Sequence, residues 1–197
     1  MTRPAPMELI LVRHAPAAHG GRLCGRTDVP AERPGEAVLA PLRALLSDAR
    51  TVVSSPALRC TATAGWLFPD RAVPVDARLW EQDFGTMDGA PFAALPDLGP
   101  LDRQSLTAHA YPGGEDFTAM AARAGAALGT LADSVRAGGG PAVVVAHAGT
   151  VRAGLALALG DAAAALAFEV APLSATRLRV LDAGYSVVAV NWSGAAA

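Results

Sequence analysis

Two cysteines in 197 residues, Cys24 and Cys60, are too few to staple a fold, and no Cys/His spacing of a zinc site appears. Charge of one sign is also missing. The 16 Lys and Arg against 18 Asp and Glu leave a net charge of −2, which excludes the global electrostatic footprint of a nucleic-acid or acidic-membrane binder, so any anion site must be local. Nor is there a long unbroken apolar run. The richest zone, Ala153 to Leu173, is interrupted by Gly160, Asp161 and Glu169, which makes it a poor membrane span. The start, Met1 to Pro6, reads as a tail, and the apolar run after it is too short for a signal peptide. No internal repeat or interdomain linker divides the chain. Apolar residues, by contrast, make up 52% of it. At this length they suffice for one domain, 1–197, with an ordered core over about 7–192. A cytoplasmic protein is the default expectation.

The stretch Met7-Glu8-Leu9-Ile10-Leu11-Val12-Arg13-His14-Ala15-Pro16 organises the rest. An apolar run of this length suits a buried parallel strand, and Pro16 stops it. Ligands of open α/β sheets gather just beyond the carboxyl ends of such strands, where Arg13 and His14 fall. The glycine-bearing segment 17–30 then folds back as a loop. Pro34 to Ala49 carries apolar residues at helical spacing, with Pro41 as either a kink or the start. Thr51 to Ser54 is a second strand, after which Ser55 can cap a helix with Pro56 in its first turn and Arg59 close behind. Such a helix start with a guanidinium is an anion site.

Ala72 to Val75 is a candidate third strand. The acidic, aromatic stretch Leu79 to Gly89 has no period and reads as a structured loop offering Glu81, Asp83 and Asp88. Residues 90–112, rich in Pro, Leu and Asp, form a lid or substrate-side excursion with one or two short helices. Asp116 is a natural N-cap for the helix through Val135, with Arg123 off its apolar face. Pro141 to Ala146 is the most strand-like run of all and ends in His147, before a helix through Leu157. The remainder makes two strands, Ser174 to Leu181 and Tyr185 to Val190, an antiparallel edge on the sheet. The fold class is α/β, with a mostly parallel sheet.

Two histidines, two arginines and a carboxylate at one sheet edge suit a phosphoryl group, which carries a charge of about −1.5 to −2 near neutral pH. Arginines bind its oxygens with paired, charge-assisted hydrogen bonds. An imidazole can attack phosphorus and a carboxyl can protonate the leaving oxygen. These residue types leave open which histidine attacks and which acid donates.

The ordered set of motifs resembles the histidine phosphatase superfamily, also called phosphoglycerate mutase-like. It consists of Arg13-His14-Ala15, Ser55-Pro56-Ala57-Leu58-Arg59, Leu79-Trp80-Glu81-Gln82-Asp83-Phe84-Gly85, Gly113-Gly114-Glu115-Asp116-Phe117 and His147-Ala148-Gly149, and spans nearly the whole chain. The resemblance implies a three-layer α/β/α sandwich. It makes His14 the phosphorylated nucleophile, places Arg13, Arg59 and His147 around the phosphate, and makes Glu81 the proton donor. Ala148, Cys24 and Gly25 fall on its substrate side. It implies a metal-independent phosphomonoesterase without cofactors, a monomer or homodimer acting on a small phosphate ester and not on nucleic acid or membrane. Ala15 stands where the family has Gly, Asp116 where it has Ser, and residues 15–20 lack its usual Thr and Asn. The size and the Cys24-Gly25-Arg26-Thr27-Asp28-Val29-Pro30 loop look most like the alpha-ribazole phosphatase branch of cobalamin synthesis. A phosphoglycerate-type mutase and a non-enzymatic phospholigand-binding regulator are the alternatives; the modest 90–112 segment argues against a mutase. Cys60 is expected to be buried.

Overall fold

Alternate residues of the first strand, β1 (Glu8–Arg13), are buried on opposite faces of one sheet. Leu9 and Leu11 pack with Leu128 and Leu155, while Ile10 and Val12 pack with Leu39, Leu42 and Leu67. Side chains of a strand alternate with period two, so an unbroken apolar run can hold helices on both sides. The helices are α4 (Phe117–Ser134) and α5 (Ala148–Leu159) on one face, with α1 (Glu36–Leu45) and α2 (Leu58–Leu67) on the other. This gives the three layers. The structure, a computed structural model, describes residues 7–194. The tail at 1–6 and the last three residues of the one at 193–197 lie outside the described residues.

The sheet has five strands in the order β2-β3-β1-β4-β5. The strands β2 (Thr51–Ser54), β3 (Ala142–Ala146) and β1 run parallel, with Leu9 opposite Ala142 and Arg13 opposite Ala146. The antiparallel edge is β4 (Ala175–Val180) and β5 (Tyr185–Trp192). A bidentate pair from Arg177 to the buried Glu8, at 2.9 and 3.0 Å, ties β4 to β1. Because β1, β2 and β3 are parallel, His14, Ser55 and His147 all emerge at the same sheet edge.

Three local expectations change. Ala72 to Val75 is not a strand: only a lone bridge joins Val75 to Ser54, because Pro74 has no N–H for a ladder. Pro41 lies inside α1, close enough to its start that a single hydrogen bond, to Ala37, is lost. Ser55 does not cap the following helix. That helix begins at Leu58 after Ala57, and its first N–H donates at 2.8 Å to Asp28 from the distant 17–30 loop. Asp116 does cap α4, accepting from Ala119 at 2.7 Å. Residues 90–112 hold one 3-10 turn, Phe92–Ala94, and the short α3 (Arg103–Thr107). A final turn of helix, α6 (Ala162–Ala165), precedes β4.

Candidate active site

The backbone N–H of His14 donates to Ala146 at 2.9 Å, which extends the β1–β3 pairing one residue past the strand end. The two imidazoles therefore meet edge-on, His14 against His147, with ring centroids 5.3 Å apart at 71°. His14 Nδ1 lies 2.6 Å from the Ala15 carbonyl. A carbonyl only accepts, so Nδ1 carries the proton and Nε2 keeps its lone pair. Burial, chiefly, and the Arg59 and Arg13 charges against the hydrogen bond to Ala15 push the His14 pKa down to about 4. The ring is neutral at pH 7. His147 is fully buried, and burial followed by Arg59, His14 and Arg13 holds its pKa well below the usual value. Ser55 Oγ, 2.8 Å from Nε2, fixes its ring, and Trp80 stacks on it at 6.5 Å. The hydroxyl read as a helix cap is thus a partner of the second histidine.

Arg59 is the largest fully buried side chain, and a caged guanidinium needs acceptors to stay there. The 17–30 loop supplies them. Nη2 donates to the Cys24 and Gly25 carbonyls at 3.2 and 2.9 Å, Nη1 to Thr27 at 3.4 Å, and Asp28 stands 3.9 Å away. Arg13 donates from Nη1 to the Val170 carbonyl, and its buried Nε has no partner among the described residues.

The acidic loop separates its three carboxylates by environment. Glu81 faces the site, Oε2 accepting from the Gly149 N–H at 3.3 Å where α5 begins. Asp83 is turned to the Gly85 N–H at 2.8 Å. Asp88 accepts the Arg26 and Thr27 N–H groups, each at 2.7 Å; burial raises its pKa, but these bonds and the Thr27 hydroxyl outweigh that and leave it lowered. Asp88 clips the Arg59 loop to the acidic loop. Gly25 sits in that seam, where a Cβ would lie 2.0 Å from the Gln82 carbonyl.

Arg123 reaches the backbone of the acidic loop, donating to the Arg78, Trp80 and Glu81 carbonyls at 2.7, 3.0 and 3.3 Å. Glu115 holds Arg123 at 2.5 Å and accepts the Asp83 N–H at 3.1 Å. Arg123 and Asp28 were not readable as site residues from local sequence. The one signal for Arg123 was a lone charge off the apolar face of a long helix.

Arg13, His14, Arg59, Glu81 and Cys24 line one cavity of about 230 Å³. His147 borders His14 from below, fully buried. Ala148 instead lines a second cavity, which also touches Glu81. Gly25 is buried, and its carbonyl accepts from Arg59. Cys60 is buried, as expected, with Sγ 3.5 Å from His147 Nε2, and burial raises its thiol pKa.

The model of the histidine phosphatase superfamily (branch 1) matches residues 9–193. The chain belongs to this superfamily. No curated protein sequence matches this superfamily member. Among solved structures, a mycobacterial glucosyl-3-phosphoglycerate phosphatase superposes on this histidine phosphatase with a TM-score of 0.80 and 26% identity, over 94% of this chain and 99% of its own. The alpha-ribazole phosphatase from Shigella flexneri gives 0.78 and 22%, over 96% and 98%. YhfR of Bacillus stearothermophilus gives 0.80 and 22%, over 94% and 96%. At 22% identity the last two speak for the fold, which is the expected phosphoglycerate mutase-like α/β sandwich. Among the described residues no helix is long and apolar enough to cross a membrane.

Proposed function

We propose that this chain is a phosphomonoesterase that hydrolyses a small phosphate ester through a phosphohistidine at His14. The state of His14 carries the reading. Its ring is neutral, its Nδ1–H is tied to Ala15, and its Nε2 lone pair faces a cavity walled by Arg13 and Arg59. A neutral nitrogen with a free lone pair is a ready nucleophile, and one buried and one half-buried guanidinium are where a phosphoryl dianion would sit. The orphaned Arg13 Nε supports this, since a buried donor without a partner costs on the order of 1–3 kcal/mol until an acceptor arrives.

In the first step Nε2 attacks phosphorus, the P–N bond forms and the P–O bond to the leaving alcohol breaks. Arg13, Arg59 and His147 hold the equatorial oxygens, because stabilising their charge is most of the catalysis in phosphoryl transfer. Glu81 acts as the acid, giving a proton to the departing oxygen; as a carboxylate it then takes one from the water that attacks phosphorus and frees His14. The 90–112 segment serves as the substrate-side wall. The Cys24–Pro30 loop, which prompted alpha-ribazole 5′-phosphate as substrate, directs its carbonyls to Arg59 and so serves the phosphate site whichever ester binds. That ester and glucosyl-3-phosphoglycerate are candidates for assay.

The test is hydrolysis of p-nitrophenyl phosphate by the wild type and His14→Ala, with EDTA present, together with an alkaline quench to trap the base-stable phosphohistidine. Turnover and phosphohistidine should both vanish in the variant. Turnover surviving in His14→Ala, or phosphorylation of another residue, would overturn the reading.

A further inference from the structure

The second cavity, of about 270 Å³, lies against the first and shares Glu81 and Phe84 with it. The shared acid is informative. A group that protonates a bridging oxygen must stand between the phosphate and the leaving group, so with phosphate between Arg13 and Arg59 the alcohol portion extends into the second cavity. Its wall is largely apolar, from Phe84, Leu98, Leu106, Phe117 and Leu166. The polar groups on it are mostly engaged already. Gln82 donates to the Glu115 carbonyl at 2.8 Å, Arg152 donates twice to Phe168 at 3.2 Å, and Glu81 accepts from Gly149.

One polar atom stands apart. His109 Nε2 is buried and has no partner among the described residues, and its ring packs edge-on against Tyr111 at 4.8 Å. Buried polar atoms in native proteins are paired, and an exception needs a cause. The imidazole that carries this orphan is part of the cavity wall. A cavity of about 150 Å³ accepts benzene, so this one has room for roughly two fused rings. A sugar would bring several hydroxyls to a wall on which His109 and the Tyr111 hydroxyl are the side chains not yet engaged, and each unpaired hydroxyl weakens binding.

Resting on the phosphatase reading, we propose that the substrate's alcohol portion is a planar aromatic body of one or two rings bearing a hydrogen-bonding atom for the His109 imidazole. His109 and Leu106, from the 90–112 segment, then set specificity, and neither touches the reacting atoms.

The experiment compares esters whose leaving alcohols are of similar acidity, so that chemistry does not masquerade as recognition. These are 2-(1-naphthyl)ethyl phosphate, its indolyl and quinolinyl counterparts, and glucose 6-phosphate, with p-nitrophenyl phosphate as reference. The wild type should favour naphthylethyl phosphate over glucose 6-phosphate at least tenfold in kcat/KM, mainly through KM. Leu106→Asp, and Leu98→Asp as a second variant, should collapse that ratio. His109→Phe should cut the better heteroaryl ester about tenfold relative to the naphthyl one, the loss expected for one unpaired buried polar group. Equal or better hydrolysis of glucose 6-phosphate by the wild type, or a ratio untouched in both leucine variants, would overturn the pocket assignment. An unchanged heteroaryl-to-naphthyl ratio in His109→Phe would overturn the role of His109. These failures differ from failure of the phosphatase reading, which would show as His14-independent or absent turnover of p-nitrophenyl phosphate.

Discussion

Gly149 offers a sharp test of what Glu81 does. It is the second residue of α5, and its N–H holds Glu81 Oε2 at 3.3 Å. A Cβ added there would lie 2.2 Å from Glu81 Oε1 and 2.9 Å from the Met120 methyl. Ordinary contact begins near 3.4 Å, so in Gly149→Ala the carboxylate must retreat by roughly 1 Å, a misplacement that can cost about a hundredfold in rate. The backbone has no objection, because the position is helical and alanine is the better helix former by up to about 1 kcal/mol. Activity and stability should therefore part company. The melting temperature should stay within a few degrees, at about 2–4 °C per kcal/mol for a chain of this size.

The size of the loss should depend on the leaving group. Ethyl phosphate leaves as a strongly basic alkoxide and needs the proton, so kcat/KM, which reports formation of the phosphohistidine alone, should fall about a hundredfold. p-Nitrophenolate leaves without help, so its ester should lose only severalfold. In a double variant with Glu81→Gln the glycine substitution should add almost nothing, since both act on one group. Equal losses on the two esters, or full additivity with Glu81→Gln, would refute the placement of Glu81 as proton donor. Wild-type kcat/KM on ethyl phosphate in Gly149→Ala would refute the steric argument itself.

Two further predictions rest on charge and capping. With its pKa at about 4 in the fold against 6.5 unfolded, His14 binds fewer protons in the native state between those values, so its share of stability is complete above pH 6.5 and lost as pH falls towards 4; the 2.5-unit difference is worth roughly 3 kcal/mol. Denaturant melts should show a steeper loss from pH 7 to pH 5 in the wild type than in His14→Gln, and the acid limb of kcat/KM should lie near pH 4; parallel melts would contradict the burial argument. Asp28→Ala should remove the cap of α2 and cost about 1 kcal/mol, with Asp28→Asn recovering the melting temperature, whereas equal melting of all three would mean that the Leu58 N–H finds another acceptor.

The parts of the fold legible in the sequence were those set by period and punctuation. Leu9 to Val12 and Val143 to Val145 read as buried strands because helices cover both faces, and Asp116 announced α4. Ala72 to Val75 misled because an apolar run resembles a strand whether or not its backbone can pair, and Pro74 decides the matter only beside Ser54. Ser55 misled for a different reason. Its hydroxyl had a local use, capping, and a distant one, His147, and only the sheet order brings the distant one to 2.8 Å.

The same logic separates what could be read of the site from what could not. His14 and His147 follow their strands directly, so the β1–β3 pairing alone sets them side by side. Glu81 comes from a loop without regular structure, and no local pattern distinguishes it from Asp83 or Asp88. Its position is an effect of tertiary contacts: Arg123 draws in the backbone around it, Asp88 binds the loop to the Arg59 cage, and Gly149 leaves room for its carboxylate. An acid selected in this way is specified by at least three residues that never approach phosphorus. Its chemistry should accordingly be as sensitive to Arg123, Asp88 and Gly149 as the phosphate site is to its own arginines.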